Sequence, residues 1–143
     1  LSLLTREAPT LIVACGMAWV IIARQIDISV GSQFAVCSVC AGLLAASGWP
    51  LPLVLVASVL AGALMGAVNG VLVAGLGLPS IVVTLATMVT WREGLRWQRQ
   101  GEFVNLPADA QWFGLTQQAG QLALVGFAVL LLVVFASAMR RLA

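Results

Sequence analysis

Long apolar runs separated by short polar breaks dominate this chain. The runs occupy residues 9–23, 33–46, 53–74 and 122–138, and a shorter run occupies residues 80–91. As a helix, the third run would reach about 30 Å, enough to cross the hydrocarbon core of a bilayer. The pattern predicts an all-α polytopic membrane helix bundle with four full or partial spans. We also expect a short re-entrant-like helix over residues 80–91 and an external loop over residues 92–121.

Small residues recur at every fourth position of the run over residues 53–74. They are Ser58, Gly62, Gly66, Gly70 and Ala74, and we call them the small-residue ridge. Residues four apart share one helix face, and two overlapping GxxxG steps allow membrane helices to approach closely. We therefore expect this run to be a central packing element. Asn69 lies beside the ridge, and its amide needs a partner in another helix or in a water-filled path.

The composition excludes an ordinary soluble domain. Hydrophobic residues make up 62% and charged residues 8% of the chain, whereas charged residues approach a quarter of a soluble domain. The net charge of +2 includes no basic patch suited to nucleic acid. The chain begins at Leu1 and ends just after Arg140 and Arg141, so we expect a fragment of a longer membrane protein.

No combination of residues indicates an enzyme. The sequence has no histidine, no HExxH, no P-loop and no Gly-x-Ser-x-Gly motif. Cys37 and Cys40 have CxxC spacing, but without histidine or a second CxxC we interpret them as small buried thiols. We therefore expect no catalytic residue, metal or cofactor, and any energy for transport must come from elsewhere.

Two sets of polar residues interrupt the apolar pattern. Asp27 lies between two apolar runs, where a carboxylate is expensive unless it is hydrated, paired or at a helix end. With Ser29 it either caps the following helix or lines a path where a helix is broken. Thr84, Thr87 and Thr90 form a hydroxyl stripe. These hydroxyls either bond back to their own backbone or line a pathway.

Arginines and tryptophans follow the short apolar run. Arg92, Arg96 and Arg99 would share one helical face, which is typical of an interfacial helix leading into a structured external loop. Charge alone leaves the orientation undecided, although Arg140 and Arg141 are suited to a cytoplasmic anchor.

Three blocks resemble the membrane permease subunits of bacterial sugar ABC importers. They are IDISVGS at residues 26–32, GALMGAVNGVLVAGLGLPSIVVTLATM at residues 62–88 and LPADAQWFG at residues 106–114. The resemblance is to the ribose, rhamnose and autoinducer-2 type, related to the branched-chain amino acid permeases. Two departures are Gln25, where the family has glycine, and Glu93, which separates Arg92 from Gly94.

The resemblance implies a translocation-path subunit for a sugar or sugar-like solute in the bacterial inner membrane. It would work by alternating access with cytoplasmic ATPase subunits, a second permease copy or homologue, and a periplasmic binding protein. The family's ATPase-docking motif, which follows a basic pair, is absent, so we expect no coupled transport from this stretch alone. Our hypothesis for the path residues is Asp27, Ser29, Asn69, Thr84, Thr87 and Thr90, and we expect Arg92, Arg96 and Arg99 to contact the binding protein. Neutral donors and acceptors suit a sugar.

Two alternatives stay open: a branched-chain amino acid permease subunit, and a passive channel or structural membrane protein. The small-residue ridge fits either, because it reports helix packing rather than transport. The residues do not distinguish a homodimeric from a heterodimeric permease, and they do not name the substrate.

Overall fold

A computed structural model describes residues 2–105, 111 and 115–142 of the chain. Apart from short turns, these residues are helical, which confirms the all-α prediction. The helices are α1 (Ser2–Ile22), α2 (Val30–Ala46), α3 (Leu51–Gly70), α4 (Ser80–Arg99) and α5 (Gln117–Leu142), and a π-helical segment, Val71–Gly75, continues α3.

Within the described residues, three stretches are long and apolar enough to cross a membrane: Leu3–Ile22, Leu51–Gly75 and Gln117–Ala138. Helix α2 is apolar but shorter. Many large apolar side chains on these helices are exposed, among them Val59, Leu64 and Val133. Such outward apolar surfaces are suited to lipid, so the membrane helix bundle is confirmed.

Helix α4 is longer than the short helix predicted over residues 80–91. It continues to Arg99. The residues that follow Trp91 are polar, so the apolar pattern ends there, but these residues still favour a helix. The helix ends where Gln100 and Gly101 both take positive φ angles, 49° and 86°. The predicted loop over residues 92–121 is shortened at both ends, since α5 begins at Gln117. The LPADAQWFG block lies outside the described residues except for Gln111.

Helix α1 also begins earlier than the predicted run over residues 9–23. It starts at Ser2 and includes Pro9. Helices α1 and α5 form one compact unit. Trp19 and Phe135 meet edge to face with ring centroids 5.7 Å apart. Ala8 and Ala128 are buried, and such small side chains allow membrane helices to approach closely.

Helices α2, α3 and α4 form the second compact unit. Helix α3 runs antiparallel to α2, since Asn69 contacts Ser29 and Gly62 lies near Cys37. Helix α4 runs parallel to α2. Its first residue, Ser80, bonds to the segment that precedes α2, and the segment that follows α4 packs on Gly42, near the end of α2.

The central element of this unit is α2 rather than the predicted α3. Helix α2 packs along both neighbours, which contact each other less. The inward face of α3 carries Val54, Met65 and Asn69. In the small-residue ridge, a Cβ at Gly62 would lie 3.4 Å from the sulfur of Cys37.

The remainder of the small-residue ridge makes fewer contacts. Ser58 is half-buried and donates to the carbonyl of Val54. Gly66, Gly70 and Ala74 are exposed, and a Cβ added to either glycine would meet no described atom within 4 Å beyond the helix's own backbone. For these three residues, the packing role stays a prediction.

Candidate functional site

The break between α1 and α2 is organised around Ser29, which has no exposed surface. Its hydroxyl donates to Asp27 Oδ1 at 2.6 Å, and its backbone N–H donates to the same oxygen at 2.8 Å. This local arrangement is an Asx turn, which aspartate favours because its short side chain reaches the backbone two residues later. Asp27 therefore shapes the approach to α2, and no side chain caps the helix itself.

Two amide side chains converge on the same hydroxyl. Asn69 Nδ2 of α3 donates to Ser29 Oγ at 2.8 Å, and Gln33 Nε2 of α2 donates to it at 2.6 Å. A serine hydroxyl has one hydrogen to donate and two lone pairs to accept with. All three positions are filled, which leaves Asp27 as the acceptor of the Ser29 proton. We call Asp27, Ser29, Gln33 and Asn69 the Ser29 hub.

The carboxamide oxygen of Asn69 is the unsatisfied group of the hub. Asn69 is 5% exposed, and its Oδ1 is buried with no hydrogen-bond partner among the described residues. Buried polar atoms in proteins nearly always find a partner. This open acceptor is therefore a point where a water molecule, another helix or a solute hydroxyl would donate.

Helix α4 supplies hydrogen-bond partners for the non-helical backbone beside the hub. The N–H of Ile26 donates to Ser80 Oγ at 3.2 Å, and Thr84 Oγ1 donates to the carbonyl of Ile26 at 3.3 Å. Non-helical backbone at membrane depth is tolerated only where such partners or a cavity exist. The first turns of α4 therefore hold the break in place against α2 and α3.

The predicted threonine stripe divides into two parts. Thr84 and Thr87 are buried, and Thr87 donates to the carbonyl of Thr84 at 3.3 Å. Thr90 is exposed and donates to the carbonyl of Ala86 at 2.8 Å, one helical turn back. Thr84 thus bonds to the segment beside the hub, whereas Thr87 and Thr90 both bond within their own helix. The pathway role of all three stays a prediction.

Sequence reasoning missed two members of this site, Gln33 and Ser80. Gln33 opens the second apolar run and lies one helical turn after Ser29, a spacing that could have indicated the contact. Ser80 follows Pro79 at the start of α4. Its contact with Ile26 joins residues 54 positions apart, so no local signal could have found it.

The three predicted docking arginines differ in their surroundings. Arg96 pairs with Glu93 at 3.2 Å, and Arg99 pairs with Glu102 at 3.7 Å. Arg92 is exposed and has no ion pair with any described residue. All three arginines lie near the end of α4. Carboxylates of the same chain already neutralise Arg96 and Arg99.

The hub contains one carboxylate among neutral donors and acceptors. In the described part of the chain, no three His, Cys, Asp or Glu residues lie together as metal ligands. The cysteines at positions 15, 37 and 40 are free thiols. Such a set of groups can bind or gate a neutral polar solute through hydrogen bonds.

Comparison with known proteins relates the chain to import systems. It is 37% identical over 126 residues to the autoinducer 2 import system permease protein LsrC of Escherichia coli (strain K12 / DH10B), covering 87% of this chain. It is 44% identical over 95 residues to the xylose transport system permease protein XylH of Escherichia coli (strain K12), covering 64% of this chain. The matches span 36% and 23% of those proteins' lengths. No solved structure matches.

A family model covers nearly the whole chain. The model is described as the branched-chain amino acid transport system / permease component, and it matches residues 1–142. This match includes every member of the Ser29 hub and every helix of both compact units. The chain belongs to the branched-chain amino acid transport system permease family.

Proposed function

We propose that this chain is part of the translocation-path subunit of an ATP-driven importer for a sugar or sugar-like solute in the bacterial inner membrane. Its partners are cytoplasmic ATPase subunits, a second permease copy or homologue, and a periplasmic binding protein. The observation that carries the proposal is the likeness to two import permeases, named for autoinducer 2 and for xylose. The chain contributes the membrane path, and ATP hydrolysis belongs to the partner.

The Ser29 hub supports a path by alternating access. It joins the non-helical segment before α2 to α2 and α3. Helix α4 holds the same segment through Ser80 and Thr84. A polar junction of three helices can support both the inward-open and the outward-open arrangement of a path, because its hydrogen bonds can exchange partners when the helices move. The open acceptor on Asn69 and the hydroxyls of Thr84 and Thr87 offer neutral partners to a passing solute.

The experiment that tests the partners is co-purification of the tagged full-length protein from native membranes in gentle detergent. We expect an ATPase subunit to accompany it, and a periplasmic binding protein to join when the solute is added. A permease that purifies alone, or only with itself, would favour the passive channel or structural alternative.

Substrate competition distinguishes the sugar proposal from the amino acid alternative. The family model carries the name of branched-chain amino acid transport, so this second candidate needs its own test. In cells that express the full-length protein with its partners, uptake of radiolabelled xylose should be reduced by unlabelled sugars and unaffected by leucine. Inhibition by leucine, together with leucine uptake, would favour the amino acid permease.

We further propose that the arginine-bearing end of α4 receives the binding protein. Arg92 is the arginine best placed to pair with an acidic partner, since Arg96 and Arg99 already face Glu93 and Glu102. Arg92→Glu in the full-length protein should weaken uptake more than Arg96→Glu does, with ATPase binding intact in both. Unchanged uptake in both variants would remove the docking role.

A further inference from the structure

The last two turns of α4 carry an open groove, at the opposite end of this helix from Ser80 and Thr84. It has a volume of about 660 Å³ and is lined by Glu93, Arg96, Trp97, Gln100 and Gly101. Arg96 and Glu93 pair at 3.2 Å, with 69% and 54% of their side chains exposed. An exposed pair of this kind contributes little to stability, so a ligand that carries both an anion and a cation can pair with both side chains, whereas a purely acidic partner would have to displace Glu93.

The groove lies on the helix end that packs beside the end of a membrane-length helix. Val104, which follows α4, packs on Gly42 near the end of α2. This contact places the end of α4 beside the turn where α2 ends and the membrane-length helix α3 begins. Trp97 and Phe103 are 85% and 92% exposed there. Exposed aromatic rings beside arginine are typical of the headgroup region of a bilayer.

A second groove continues from the first toward the apolar part of the unit. It has a volume of about 410 Å³, lies between α2 and α4, and is lined in part by Val36, Trp91, Leu95 and Trp97. Trp97 borders both grooves. The indole N–H of Trp91 is buried and has no acceptor among the described residues. The surface thus passes from opposite charges to a more apolar lining, in which Thr90 and Gln98 are the polar side chains.

We propose that this surface binds one phosphatidylethanolamine molecule. Arg96 binds the headgroup phosphate, Glu93 accepts hydrogen bonds from the primary ammonium, and the acyl region packs on Trp97. The charges select the lipid: a carboxylate beside the guanidinium disfavours a purely anionic headgroup, and a quaternary ammonium has no N–H to donate to Glu93.

The test is lipid retention measured by native mass spectrometry. The full-length protein, in mild detergent, is exposed to an equimolar mixture of phosphatidylethanolamine, phosphatidylcholine and phosphatidylglycerol with matched acyl chains. We expect the wild-type protein to retain phosphatidylethanolamine several-fold over the other two. Glu93→Gln should abolish this preference and increase phosphatidylglycerol retention, and Arg96→Gln should reduce retention of both phosphatidylethanolamine and phosphatidylglycerol.

Glu102→Gln is the matched control. Glu102 also pairs with an arginine three residues away and is exposed, but it does not line either groove, so this variant should retain the wild-type preference. Equal retention of the three lipids by the wild-type protein, or a preference for phosphatidylcholine or phosphatidylglycerol, would overturn the proposal. So would a phosphatidylethanolamine preference that survives both groove substitutions. The measurement requires no transport, so its result is independent of the proposed importer function.

Discussion

Replacing Ser29 by alanine should destabilise the full-length protein far more than the same replacement at Ser38. The Ser29 hydroxyl makes three side-chain hydrogen bonds, to Asp27, Gln33 and Asn69. Each such bond contributes about 0.5–1.5 kcal/mol net in soluble proteins, and membrane double-mutant cycles average about 0.6 kcal/mol with a maximum near 1.7 kcal/mol. Because the buried Asn69 amide would also lose its partner, we expect a total loss of about 2–4 kcal/mol.

Ser38 provides the control because it lies on α2, the helix that follows Ser29, and its hydroxyl makes one local bond, to the carbonyl of Phe34 at 2.8 Å. Its replacement should cost less than about 0.5 kcal/mol, as at ordinary surface positions. The assay is reversible unfolding of the purified protein by sodium dodecyl sulfate titration, followed by circular dichroism. A Ser29→Ala loss as small as that of Ser38→Ala would refute the hub as a stabilising junction.

A double-mutant cycle assigns the long-range part of this energy. Ser29→Ala and Asn69→Ala, alone and together, isolate the bond that joins residues 40 positions apart. We expect a coupling free energy of about 1 kcal/mol. If the two single losses add to the double loss within about 0.3 kcal/mol, the two side chains do not interact in the folded protein.

Three further substitutions test the packing in the same titration. Gly42→Ala puts a Cβ 2.8 Å from Val104 Cγ1, so it should cost about 1–3 kcal/mol and be relieved by adding Val104→Ala; no relief would contradict the contact. Gly66→Ala meets open space and should be neutral or stabilise by up to about 1 kcal/mol. A loss there would show that the small-residue ridge contacts another helix in the full-length protein. Trp19→Leu removes the edge-to-face contact with Phe135 and should cost about 0.5–1.5 kcal/mol; an unchanged stability would remove that contact's contribution.

The membrane helices could be predicted from the sequence because apolar length is a local property. The helix ends were harder to predict, because charged residues lower the hydropathy of a segment without lowering its helix propensity. At α4 the apolar pattern ends near Trp91, yet the helix continues to Arg99, since arginine, glutamate and glutamine favour helix outside lipid as well. The central position of α2 was not evident either. It arises because α2 contacts both α3 and α4, and the hydropathy pattern of a single segment does not indicate which other helices it contacts.

Asp27, Ser29 and Asn69 could be selected from the sequence because a polar group in an apolar run is costly, whatever surrounds it. Their mutual arrangement could not, since it depends on how α3 packs on α2. That packing makes one hydroxyl the meeting point of a carboxylate and two amides, adds Gln33 to the set, and brings Ser80 to the backbone of Ile26. It also leaves the ridge glycines Gly66 and Gly70 exposed. The residue types of the site could thus be predicted from the sequence. Their hydrogen-bond partners are decided by tertiary packing, because these bonds depend on distances between segments that are far apart in sequence.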